Sequence, residues 1–139
     1  MKRNTRLAAI LMVSVLLMGF ACQNKAAVAS RDIATAVKAF QTAEISLHQQ
    51  KDAAGILKIS DAEHLVIQKY IKAVAISGKA ANNCIRASSG PACADQGIQA
   101  AQDLLNHGLA GIKNEQSKQQ LQIIAQSILL AWNNFKVLL

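Results

Sequence analysis

Three histidines and eight carboxylates supply the side chains that could do acid–base or ligand chemistry. Glu44 and His48 stand four residues apart on the same side of a helical stripe, and His64 lies at the edge of the next stripe. One carboxylate and two imidazoles suit Zn²⁺ or iron, so Glu44, His48 and His64 are the candidates for a metal site in a helical core. Di-iron bundles, however, use paired Glu-x-x-His motifs, whereas the Glu-to-His spacings here are four residues for Glu44–His48 and one for Glu63–His64. The expectation is an i,i+4 Glu–His pair at a helix surface or end, with no metal favoured. Asp103 and His107 are also one turn apart, but on the face opposite the apolar stripe of their helix, where a dyad has no pocket. No Gly-rich phosphate loop, G-x-S-x-G, H-E-x-x-H or C-x-x-C-H pattern occurs. All three methionines precede residue 19, which leaves none downstream as a haem ligand. The residues therefore point to no catalytic group, no cofactor and no enzyme.

The remaining reactive side chains are Cys22, Cys84 and Cys93. Cys84 and Cys93 flank a Ser88-Ser89-Gly90-Pro91 turn, close enough to join the ends of two helices as a disulfide in an oxidising compartment. Closing so short a loop contributes about 2 to 3 kcal/mol in the chain-entropy account. Their interval is far from the C-x-x-C spacing of redox-active pairs.

The elements that position these residues are helices. The chain is 139 residues long, enough for one domain, and is 52% hydrophobic but 4% aromatic with a single Pro. Apolar residues recur at helical spacing in four stretches. Ile33, Val37, Phe40 and Leu47 form the first stripe, with Gly55 as its stop. Ser60-Asp61-Ala62-Glu63 is a capping box that opens a second stripe of Ile67, Ile71, Val74, Gly78, Ala81 and Ile85. Pro91 suits a first helical position, followed by Ala94, Ile98, Ala101, Leu105, Leu109 and Ile112. After a break at Asn114-Glu115, Leu121, Ile124, Ile128, Ala131, Trp132 and Phe135 share a face, with Ile123, Leu130 and Val137 in a second apolar row. That helix is either the most buried of the set or a docking surface. Trp132 and Phe135 are the candidate partner-binding anchors, although the stripe already explains them as core. Short connections predict an all-α, antiparallel up-down four-helix bundle built from two helical hairpins.

Residues Met1 to Arg6 are basic, and Leu7 to Ala21 form fifteen uncharged, mostly apolar residues, shorter than the ~20 of a membrane-spanning helix. This is the layout of an export signal. Cys22 follows Gly19-Phe20-Ala21 directly, and here the segment resembles the signal sequences of bacterial lipoproteins, in the match of Ala21 and Cys22. The resemblance covers residues 1–22 only. It implies that Cys22 is lipidated and becomes the mature N-terminus, and that Gln23 after it directs the protein to the outer membrane. The competing reading is cleavage after Ala27-Val28-Ala29, which would release a soluble protein starting at Ser30.

The expected organisation is a signal peptide at 1–21, a short tether at 22–29 and a single bundle domain at 30–139. Removing Lys2, Arg3 and Arg6 with the signal lowers the net charge from +7 to +4, and the remaining bases form no run, so no nucleic-acid partner is expected. The function read from the sequence is a non-enzymatic cell-envelope protein, held to the membrane by a lipid anchor, facing the periplasm and contacting a protein or envelope partner. The alternatives are a periplasmic small-molecule or metal-binding bundle and a secreted soluble effector or inhibitor.

Overall fold

A computed structural model describes the backbone of residues 2–86 and 91–139 and the side chains of residues 25–86 and 91–139. The basic and apolar leader, Cys22, and the Ser88-Ser89-Gly90 turn lie outside the described side chains. Four helices account for the fold: α1 (Lys2–Gln49), α2 (Asp61–Arg86), α3 (Pro91–Asp103) and α4 (Glu115–Val137). They pack as a helical bundle in which each helix touches its neighbour in sequence and α1 closes the ring against α4.

The core is aliphatic with three large aromatic side chains. Ile33, Val37, Phe40, Ile67, Ile71, Val74, Leu104, Leu121, Ile128, Trp132 and Phe135 are among its buried members. Trp132 and Phe135 meet edge to face with ring centroids 5.7 Å apart. Residues 25–29, inside the expected tether, are helical, and Ala26 and Ala29 join the buried cluster.

The first helix ends at Gln49, before the expected stop. Gly55 instead sits at φ 78° in a tight loop, a conformation that favours glycine. Asp52 organises this loop: its Oδ1 accepts from the N–H groups of Ala54 at 2.8 Å and Ile56 at 2.9 Å. One antiparallel bridge, Lys51 to Leu57, closes it, and Ile59 then drops into the core.

The capping box opens α2 as expected. Ser60 N–H donates to Glu63 Oε2 at 2.7 Å, and Glu63 N–H approaches Ser60 Oγ at 3.4 Å. Asn114 caps α4 by accepting from Ser117 N–H at 2.9 Å.

The third helix keeps most of its expected face, with Ala94, Ala101, Leu109 and Ile112 buried, but is turned slightly about it. Its buried positions are Ala94, Gly97 and Ala101, followed by Leu104 and Gly108, while Ile98 and Leu105 are half-buried. Trp132 is the cause. A Cβ at Gly97 would overlap the indole, so the glycine marks where α4 presses its largest side chain against α3. A π turn (Leu104–Gly108), with Leu109 N–H donating to Leu104 O at 3.1 Å, then ends α3 and brings Leu109 and Ile112 into the core.

Candidate functional site

The most concentrated polar chemistry lies where the end of α1 meets the start of α2. Glu44 follows Phe40 by four residues and precedes Leu47 by three, so the apolar stripe of α1 carries its carboxylate wholly inside. A buried carboxylate requires hydrogen-bonded or charged partners. His64, one turn past the cap of α2, meets it with Nδ1 2.6 Å from Glu44 Oε1. Gln68, one turn further on, donates Nε2 to Glu44 Oε2 at 2.8 Å.

His48 stacks on His64 with ring centroids 4.3 Å apart and planes 12° from parallel. Its Nδ1 lies 3.0 Å from Ile59 O, and since a carbonyl only accepts, that nitrogen carries the proton and donates. Its Nε2 lies 3.6 Å from the exposed carboxylate of Asp61. The expected Glu44–His48 pair is thus replaced by a cross-helix Glu44–His64 pair, because both Glu44 oxygens turn toward α2.

This arrangement ties two helices together. Both carboxylate oxygens of Glu44 are taken by α2, and the two imidazole planes run nearly parallel, so their in-plane lone pairs do not converge. Among the described residues no group of three His, Cys, Asp or Glu side chains is placed to hold a metal. Gln68 and the imidazole stack have no signature in the sequence, since each depends on how α1 and α2 are rotated against one another.

Glu63, beside this cluster, has a lowered pKa. Burial pushes it up, but the Ser60 hydroxyl and N–H, the Lys113 N–H at 2.8 Å and the Lys113 charge together hold the carboxyl below its usual 4.5.

The other candidate residues are dispersed. Cys84 and Cys93 sit at disulfide distance with Cα atoms 5.6 Å apart, joining the end of α2 to the start of α3. Trp132 and Phe135 are fully buried, so the partner-binding alternative gives way to a core role. The exposed apolar row of α4 is Ile123, Leu130 and Val137. Asp103 accepts from Gln99 Nε2 at 2.9 Å, while His107 is exposed and faces Tyr70 with centroids 6.3 Å apart. Asp103 lines a groove between α2 and α3 to which His107 does not contribute.

Two further grooves flank α1. One, of about 700 Å³, lies against α4 between Val28, Asp32, Val137 and Leu138. The other, of about 520 Å³, lies against α2 between Arg31, Lys38 and Lys79. Among the described residues no helix is long and apolar enough to cross a membrane. Comparison with protein families, with curated proteins and with solved structures finds no match to this chain.

Proposed function

We propose that this protein is a non-enzymatic lipoprotein of the bacterial cell envelope, anchored through Cys22, whose bundle faces the periplasm and contacts an envelope partner. The observation that carries the proposal is the pairing of Cys84 with Cys93, which fits an oxidising compartment and leaves Cys22 as the remaining cysteine of the sequence. Its place at the end of an apolar run suits acylation.

The burial of Ala26 and Ala29 supports Cys22 over Ser30 as the mature N-terminus. Cleavage after Ala29 would strip both alanines from the core and remove the Ala27 carbonyl, which lies 2.8 Å from the Ser30 hydroxyl. The bundle is read as up-down and antiparallel. In support, Ser30, near the start of the part of α1 with described side chains, meets Asn82 near the end of α2 at 2.9 Å, and Glu44, near the end of α1, meets His64 near the start of α2. Lys136 at the end of α4 meets Asp95 near the start of α3 at 2.6 Å.

Intact mass of the protein isolated from its native host tests the anchor. A diacylglyceryl-modified chain beginning at Cys22 is the expected species, and incorporation of labelled fatty acid is expected to vanish in Cys22→Ala. A mature chain beginning at Ser30 with no lipid would replace this reading with the secreted one.

A further inference from the structure

The groove between α1 and α2 is walled by cations from both helices. Arg31 and Lys38, seven residues apart on one face of α1, stand opposite Lys79 of α2, and no carboxylate is among the residues lining it. Among the described residues none of these three cations takes part in an ion pair, whereas Lys136 is paired with Asp95. Like charges facing across a concavity repel one another and focus a positive potential into it, an arrangement that an anion relieves.

Between the cations the lining includes the small or apolar Ala34, Val37, Ala75 and Gly78, alongside the polar Ser30, Gln41 and Asn82. Its volume of about 520 Å³ is that of a small-molecule site. The geometry points to a binding site for a single-chain amphiphile with an anionic head, the head resting among Arg31, Lys38 and Lys79 and the first part of the alkyl chain lying over Ala34, Ala75 and Gly78. This assignment stands apart from the Cys22 anchor, since the groove is formed by described residues alone.

Titration calorimetry of the full chain with dodecyl phosphate, kept below its micelle-forming concentration, tests it. Lys79→Glu is expected to weaken binding at least tenfold, while Lys51→Glu, an equal charge change in the loop at the other end of α2, is expected to alter it less than twofold. Ala34→Leu changes an exposed lining residue and narrows the groove without changing the cations, and it is also expected to weaken binding. Dodecyl maltoside and inorganic phosphate are each expected to bind at least tenfold more weakly than dodecyl phosphate. Equal affinities for Lys79→Glu and Lys51→Glu, or equal binding of the neutral amphiphile, would overturn the site. Equal binding of inorganic phosphate would overturn the amphiphile assignment.

Discussion

Glu44 carries the highest electrostatic stakes of any single residue in this protein, because its carboxylate is wholly buried and held by only two side chains from another helix. Removing the hydrogen-bond partner of a buried polar group leaves that group unsatisfied, at a cost of about 1 to 3 kcal/mol. His64→Leu is accordingly expected to lower the unfolding free energy by about that amount in urea titration. In Glu44→Leu/His64→Leu the unsatisfied carboxyl disappears, and most of the loss is expected to be recovered. Glu63 makes the complementary case for acid. Its carboxyl titrates below 4.5 in the folded chain, so the unfolded chain binds more protons as the pH falls. The stabilisation is complete above the unfolded value and is lost as the pH drops through the folded one. Between pH 5 and pH 3, Glu63→Gln is expected to flatten the decline of the urea midpoint relative to the parent chain. The sequence shows the Ser60–Glu63 box directly, because capping is a local contact. It pairs Glu44 with His48 instead, because which histidine reaches Glu44 depends on how α1 and α2 are packed.

At the scale of elements, the contact of α3 with α4 is set by a glycine under a tryptophan. Gly97→Ala forces a methyl into the Trp132 indole, and overpacking of this kind costs about 1 to 3 kcal/mol. Gly111→Ala meets nothing within 4 Å, and φ is not positive there, so it is expected to be neutral or to add about 0.4 to 1 kcal/mol. Thermal melts are therefore expected to fall for Gly97→Ala and to hold or rise for Gly111→Ala. The junction of α2 and α3 depends on Cys84 and Cys93. Replacing both with Ser is expected to cost about 2 to 3 kcal/mol, and reduction of the parent chain should lower its midpoint by a similar amount. The helices themselves were legible from spacing and caps. The face of α3 was legible in part: Ala94, Ala101, Leu109 and Ile112 of the expected stripe are buried, but Gly97 has no side chain to announce its burial, and Ile98 and Leu105, which size alone favours, are only half-buried.

For the whole molecule, closure of α1 against α4 gives each helix two neighbours and leaves a third side in water. That is why Ile123, Leu130 and Val137 remain exposed although α4 is apolar over more than one face. It also makes residues 25–29 part of the domain: a chain beginning at Ser30 is expected to be less stable than one beginning at Cys22 by about 1 to 2 kcal/mol, the worth of two buried methyl groups. Comparison of the two by urea titration checks this. Local chemistry in the chain was enough to determine the helical state, the cap at Ser60, the break at Asn114, most of the buried stripe and the pairing distance of Cys84 and Cys93. Each of these depends on residues within a few positions of one another. Tertiary packing alone decided which row of α4 is covered, how far α3 turns to admit Trp132, which histidine takes Glu44 and where three cations gather around a groove. Periodicity describes a helix about its own axis, whereas these outcomes depend on the neighbour pressed against it, and no single helix encodes its neighbour's shape.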